Sequence, residues 1–306
     1  SRAHEGDILV FLPGEAEIRK CESILETQLE NFSIHPLYGQ LAPQQQFQAI
    51  MPNKYGKRKV VLATSIAETS LTIEGIRIVI DSGFGRTSKF DSRSGLSRLE
   101  TVRISKDSAD QRTGRAGRLS SGVCYRMWTK ATQERLTEQR VPEIVEADLT
   151  ALVLDMALWG VQDVRSLTWL TPPPQSAITQ ATETLQQIGA IEKGQITSHG
   201  REIHKLACHP RIAHLLLKAK EDHPAPLATD IAAVLEERDP LPRDSGIDIN
   251  LRIEALRRAR NINNLGNRFN RIEKVAASYR NMLEIEPDNG PVDVFETGLL
   301  LAYAYP

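Results

Sequence analysis

A chain of 306 residues with 41% hydrophobic and 25% charged residues holds enough material for two or three packed domains, and its composition excludes a disordered or fibrous protein. The 38 Lys and Arg against 39 Asp and Glu leave a net charge of −1, so any nucleic-acid binding has to rest on local patches. Cys21, Cys124 and Cys208 are odd in number and far apart, no apolar run reaches the roughly 18 residues of a membrane span, and no signal peptide opens the chain. Reduced thiols, a cytoplasmic location and no membrane partner are the expectations.

The first stretch alternates. Asp7 to Leu12 is a short apolar run closed by Pro13-Gly14, which predicts a buried strand. Glu15 to Leu29 places Ile18, Cys21, Ile24, Leu25 and Leu29 on one helical stripe. Ile34 to Tyr38 predicts a second strand, and Pro43 to Met51 a short helix with proline in its first turn. Lys59 to Ala63 and Arg77 to Asp81 are largely apolar and β-branched, two further strands. Strands alternating with helices predict an α/β fold, a doubly wound parallel sheet covered on both faces, over residues 1–140. Ligands of such sheets lie beyond the carboxyl ends of the strands. Arg86 to Val102 interrupts the alternation with two polar extended stretches around Ser94-Gly95, a predicted β-hairpin. Arg86, Lys89, Arg93, Arg98 and Arg103 decorate it, giving either a solvated surface or a nucleic-acid contact.

Ser108 to Arg118 is the stretch richest in chemistry. On a continuous helix Gln111, Arg115 and Arg118 fall at i, i+4 and i+7, one face that projects an amide and two guanidiniums suited to phosphate oxygens. Gly114 and Gly117 each cost a helix about 1 kcal/mol against alanine, and make sense where another backbone or a ligand approaches. The plainer alternatives are a solvated basic helix start and a capping box running from Ser108 to Gln111. Arginines near a helix N-terminus oppose its dipole, which favours anion binding.

From Ala147 the pattern changes. Asp148 to Trp159 and Gln175 to Ile188 read as helices separated by Pro172-Pro173-Pro174, and Ile191 to Ile196 as a hairpin turning at Lys193-Gly194. Helices followed by a small hairpin predict a winged-helix domain over 141–205. Arg211 to Lys220, Pro226 to Glu237, Ile249 to Ala259 and Ile272 to Leu283 predict a helical bundle over 206–306, with a breaker-rich linker from Asp239 to Gly246. Arg252, Arg257, Arg258, Arg260, Arg268, Arg271 and Arg280 give that bundle a basic bias, either a solvated face or a nucleic-acid surface. His199, His204, His209 and His214 recur every five residues; five residues turn a helix by about 500°, so the spacing fits packing and capping better than a metal site. Asp155 and Met156, on an apolar helix, read as the edge of a core.

Gln111-Arg112-Thr113-Gly114-Arg115-Ala116-Gly117-Arg118 resembles motif VI of superfamily 2 helicases in the form used by the DEAH-box branch. Ala63-Thr64-Ser65-Ile66-Ala67-Glu68-Thr69-Ser70-Leu71-Thr72-Ile73 resembles motif V of the same branch. Leu9 to Ile18, Trp159-Gly160 to Pro173 and His209-Pro210-Arg211 are similar to the bacterial HrpB-type members, and the similarity is weakest after Asp239.

The resemblance implies an ATP-dependent RNA helicase that translocates 3′ to 5′, with a second RecA-like domain at 1–140, a winged helix at 141–205 and a ratchet-like bundle at 206–306. It implies that Arg115 and Arg118 reach the γ-phosphate as arginine fingers, with Gln111 orienting the attacking water. Arg112, off that face, suits a salt bridge or a channel contact. Ser70 would sense the nucleotide and Glu74 take the ribose hydroxyls. Thr64 and Thr69 would touch the RNA backbone. Ser65, where the family usually carries Asn, stands beside them. Gly14, in motif IV, would offer its backbone N–H to a phosphate, and the hairpin with Arg86, Lys89 and Arg93 would wedge against the strand. An aromatic for adenine is expected after the second strand, where Phe47, Ile50 and Met51 stand; weak base recognition follows. ATP and Mg²⁺ are the implied cofactors, bound mainly by a first RecA-like domain, because neither Gly-x-x-x-x-Gly-Lys-Ser/Thr nor Asp-Glu-Ala-His occurs in the sequence. A monomer working on single-stranded RNA, or on DNA, with that missing domain as its partner is therefore expected, and this chain alone is expected to hydrolyse nothing. Its end at Tyr303-Ala304-Tyr305-Pro306, inside an apolar stretch, reads as the end of a piece. The competing reading is a non-catalytic nucleic-acid- or partner-binding module of helicase shape.

Overall fold

The structure, a computed structural model, describes residues 5–53, 56–69, 71–91, 95–118, 121–222, 224–242 and 244–306. It divides into two compact units, residues 1–147 and 148–306.

In the first unit the elements run β1 (Asp7–Phe11), α1 (Glu15–Gln28), β2 (Phe32–Leu37), α2 (Pro43–Ile50), β3 (Arg58–Ala63), β4 (Ile76–Asp81), β5 (Phe84–Asp91), β6 (Leu96–Arg103), α3 (Lys106–Thr113), β7 (Val123–Arg126), α4 (Lys130–Arg135) and α5 (Glu143–Glu146). Five strands form one sheet in the order β2-β3-β1-β4-β7, every neighbouring pair parallel. The alternating residues of the strands build two cores, one on each face. Leu9, Phe11, Val61, Ala63 and Val79 pack with Ala49 and Ala116, while Ile8, Val60, Leu62 and Ile78 pack with Ile18 of α1. Burial on both faces explains why β3 and β4 read as nearly continuous apolar runs. The hairpin β5–β6 stands apart as its own two-stranded antiparallel sheet, with Arg86 opposite Thr101 and Lys89 opposite Arg98. The four-residue β7 gave no periodic signal of its own.

In the second unit follow α6 (Thr150–Leu158), α7 (Gln175–Gln187), β8 (Ile191–Glu192), β9 (Gln195–Ile196), α8 (Ser198–Lys205), α9 (Pro210–Asp222), α10 (Ala225–Glu236), α11 (Ile249–Asn261), α12 (Gly266–Leu283) and α13 (Val294–Ala304). The β8–β9 turn uses left-handed Lys193 and Gly194, φ 49° and 76°, the geometry of a tight hairpin turn. Leu215, Leu216, Ala228, Ile231, Ile253 and Leu300 form the core of the later helices. Among the described residues no helix is long and apolar enough to cross a membrane.

One expectation needs correcting. Of the seven arginines between 252 and 280, Arg258, Arg268 and Arg271 are exposed, but the other four belong to neither a solvated face nor a basic surface. Arg252, Arg257 and Arg280 are buried, with Arg260 nearly so. Arg257 and Arg260 donate to the buried Asp230 at 3.0 and 2.8 Å, Arg260 and Arg280 to Glu273, and Arg252 to Asp239 at 2.7 Å. The histidines pair instead of converging: His199 Nε2 lies 2.7 Å from His214 Nδ1, His204 meets Asp155 and His209 meets Asp148.

Candidate functional site

Strand β3 delivers the chain to the site. Thr64, directly after it, donates its N–H to the Leu37 carbonyl at 3.1 Å, and a single 3₁₀ turn, Ser65–Ala67, follows. Buried Ala67 roots the turn in the core and Glu68 points inward, which leaves Thr64 half-buried and Ser65 and Thr69 exposed on the other side. Glu74 is exposed beyond them, and Ser70 lies outside the described residues.

Helix α3 faces this turn, and its course differs from the sequence expectation. Ser105, not Ser108, is the N-cap residue, and its hydroxyl donates to Ser108 Oγ at 3.1 Å, so the capping box from Ser108 to Gln111 does not form. The helix ends at Thr113. Arg115, Ala116 and Gly117 then donate to residues three back, Arg112, Thr113 and Gly114. The tighter turn, near three residues per revolution, brings Arg115 and Arg118 into line while Gln111 stays on the helix proper. The three still meet motif V. Gln111 lines one cleft with Thr64, Ser65, Thr69, Ser108 and Arg140. Arg115 donates from Nη1 to the Leu71 carbonyl at 3.0 Å and from Nη2 to the Glu68 carbonyl. Arg118, exposed, donates from Nη1 to Thr72 Oγ1 at 2.5 Å. Burial first, then the Arg118 charge, pull the pKa of Arg115 below the usual arginine value. Two guanidiniums are thus held together against one loop, an arrangement that favours an anion between them. Among the described residues, its chain neighbours aside, nothing lies within 4 Å of where a Gly117 side chain would stand, so none of them packs closely enough to require a glycine there.

Arg112 points the other way, into the interior. Its side chain is 1% exposed and pairs with Glu68 and Asp81, the salt bridge expected for it.

At the carboxyl end of β1, Gly14 caps α1 with extended backbone. Arg86 of the hairpin lies flat on it, and a side-chain carbon on Gly14 would stand 2.5 Å from the guanidinium carbon. Arg86 also reaches Glu17 at 3.4 Å. Lys89 is exposed further along β5, and Arg93 lies outside the described residues. Of the candidate base-stacking residues, Phe47 is 58% exposed on α2, Met51 is exposed and Ile50 half-buried. Lys59, buried, holds that helix end by donating to the carbonyls of Ala49 at 3.0 Å and Met51 at 2.7 Å. Among the described residues no group of three or more His, Cys, Asp or Glu could hold a metal ion.

Sequence reasoning passed over Arg140, which lines the Gln111 cleft and two clefts along the hairpin beside Arg86 and Thr87. Its only signal was a cation just before Val141-Pro142. It also passed over Glu68, a carboxylate inside motif V whose burial no local pattern announces.

The helicase conserved C-terminal domain matches residues 1–120. The ATP-dependent RNA helicase HrpB of Escherichia coli is 43% identical over 237 residues, 77% of this chain and 29% of that protein. The probable ATP-dependent RNA helicase DHR2 of Saccharomyces cerevisiae is 39% identical over 226 residues, 71% of this chain and 31% of that protein. This chain therefore spans about three-tenths of the length of these curated relatives. A crystal structure of the Escherichia coli DEAH/RHA helicase HrpB superposes with a TM-score of 0.82 at 36% identity, covering 99% of this chain and 37% of that one. With motifs V and VI assembled at the carboxyl end of a parallel sheet, this chain belongs to the DEAH/RHA helicases of HrpB type, and its first 120 residues are their conserved C-terminal domain.

Proposed function

We propose that this chain supplies the arginine-bearing half of a composite nucleotide site in an ATP-dependent RNA helicase that moves 3′ to 5′ along single-stranded RNA. The observation that carries the reading is the seating of Arg115 and Arg118 on the Glu68–Thr72 loop, with Gln111 in the adjoining cleft beside Thr64, Ser65 and Thr69. A module that only bound nucleic acid would have no need of paired guanidiniums there. Arg115 and Arg118 meet the γ-phosphate and Gln111 orients the water. Ser70 senses the nucleotide and Glu74 takes the ribose hydroxyls. Gly14, Thr64, Ser65 and Thr69 hold the RNA backbone, with Arg86, Lys89 and Arg93 along the hairpin. The exposed ring of Phe47 is the base-stacking surface. The phosphate loop and the acids that hold Mg²⁺ belong to a first RecA-like domain of the same protein, since their motifs are not in this sequence. Residues 1–140 are then the second RecA-like domain. Helices α6 and α7, hairpin β8–β9 and α8 support a winged helix at 141–205, and α9 to α13 a ratchet-like domain at 206–306. A monomer in the cytoplasm fits three free cysteines.

The test is RNA-stimulated ATP hydrolysis by the intact protein against Arg118→Ala. Loss of a finger removes about 10³- to 10⁵-fold in rate. A loss of at least about 10³-fold with RNA affinity retained is expected. Equal rates would make motif VI structural here and put the binding-module reading ahead. Competition between RNA and DNA strands in the same assay decides the polymer.

A further inference from the structure

The hairpin β5–β6 poses a mechanical problem. Its strands pair only with each other, and a lone two-stranded ribbon is marginal in water. Its aim relative to the sheet is therefore set where it meets the rest of the unit: through Arg86 on Gly14 and Glu17, and at its base, where Ile104 donates its N–H to the Gly83 carbonyl at 3.2 Å and Arg103 stacks over the Phe84 ring at 4.0 Å. Beneath that base lies Arg112. Its Nη1 donates to the Phe84 carbonyl at 3.1 Å and to Asp81 Oδ1 at 2.7 Å; its Nε donates to Glu68 Oε1 at 2.7 Å, and its guanidinium lies 4.7 Å from the Phe11 ring centre. Asp81 Oδ1 also accepts from the Gly83 N–H at 2.9 Å. One buried side chain thus ties motif VI, motif V, the end of β4 and the first residue of the hairpin.

The chemistry of this hub makes it hard to replace. Glu68 and Asp81 are 8% and 0% exposed at the side chain, so two carboxylates share a single guanidinium. Without Arg112 they would face each other unpaired in a low-dielectric interior. A lysine keeps the charge, but as a point it cannot donate along the separate directions of Glu68, Asp81 and the Phe84 carbonyl. Among the described residues Asp81 Oδ2 meets no donor, so none of them stands ready to compensate for Arg112 there.

We propose that Arg112 is a positioning residue that aims the hairpin from the interior behind motif VI, so that its loss separates nucleic-acid contact from nucleotide turnover. The second half rests on the function proposed above; the first half, the mechanical one, does not. Hydrogen exchange of the intact protein tests that first half directly. In Arg112→Lys the amides of 84–91 and 96–103 exchange about tenfold faster, while those of β1 and β3 keep their protection. Arg112→Met gives the same pattern more strongly. Unstimulated hydrolysis stays within about threefold of wild type in Arg112→Lys, and the stimulation by single-stranded RNA falls about tenfold. Unchanged hairpin exchange, or protection lost equally from β1, β3 and the hairpin in both variants, would reduce Arg112 to a fold-stabilising residue and overturn the proposal. A loosened hairpin with full RNA stimulation would overturn the link to turnover. Arg118→Ala run alongside separates the two claims: its indifference sinks the helicase reading while leaving the exchange result to stand on its own.

Discussion

His214 shows how a single buried side chain makes stability depend on pH. It lies on α9 against His199 of α8, with the rings edge to face at 4.9 Å and the Tyr303 ring of α13 6.0 Å away. The 2.7 Å contact between His199 Nε2 and His214 Nδ1 needs one donor and one acceptor, so it cannot survive with both rings charged. Burial, then the His199 and Lys218 charges, bring the pKa of His214 down to about 4, with Glu221 opposing. Burial and Lys218 also lower His199. Because the folded pKa of His214 lies below the unfolded one near 6.5, its contribution is complete above that value and is lost as pH falls toward 4. Between pH 7 and 5 the loss is about 2 kcal/mol. Urea melts at those two pH values check it: His214→Gln flattens the difference, and a variant with an unaltered pH slope rules this pair out as the cause.

At the scale of elements, the decisive feature of the second unit is the aspartate on α10. Asp230 gathers Arg257 of α11 and Arg260, while Glu273 of α12 accepts from Arg260 and Arg280. Arg257 reaches on to Asp288 and the Gly290 carbonyl, and Arg260 to Asn289, which pins the segment before α13. Removing one partner of such a group leaves uncompensated buried charge, a cost of about 3–5 kcal/mol. Asp230→Ala is expected to lose that much in a denaturant melt, and Asp230→Asn, which keeps an acceptor oxygen, less. A change under about 1 kcal/mol for Asp230→Ala would mean that water already solvates these arginines.

The same element shows where sequence stops being legible. Four of the five strands of the parallel sheet could be placed within a residue or two, because burial on both faces forces continuous apolar runs, while β7 was missed. The hairpin was readable from its polar stretches and Gly95. The arginines were not, since the buried acid that gathers Arg257 and Arg260, Asp230, lies 27 and 30 residues away on another helix, and a linear count sees only cations. Motif VI was legible in its residues and not in its geometry: Gly114 and Gly117 end the helix in a tighter turn, which changes which residues align while preserving what they face. Arg112 was expected in a salt bridge, yet the depth of its burial depends on Glu68 and Asp81 arriving from two other strand ends.

For the whole molecule, these neutralised arginines bear on how it can meet a polyanion. The formal charge is −1, and Arg252, Arg257, Arg260 and Arg280 are committed to internal acids, so the field of the helical bundle is weaker than its arginine count suggests. On the function proposed above, nucleic acid is then held mostly by short-range donors, the Gly14 N–H and the motif V hydroxyls, with Arg86, Lys89 and Arg93 as the charged part. About three phosphate neutralisations on a single strand give a log–log dependence of affinity on salt with a slope near −2. Arg86→Ala combined with Lys89→Ala should bring that slope to about −0.7, with affinity lost most at low salt. The measurement is a fluorescence-anisotropy titration of single-stranded RNA across salt concentrations with the intact protein. A wild-type slope steeper than about −5 would require cations well beyond the hairpin, with the exposed Arg258, Arg268 and Arg271 of the bundle as candidates. A slope near −2 that the double substitution leaves unmoved would shift the charged contact away from β5, with Arg140 at the junction of the three clefts as the next residue to change.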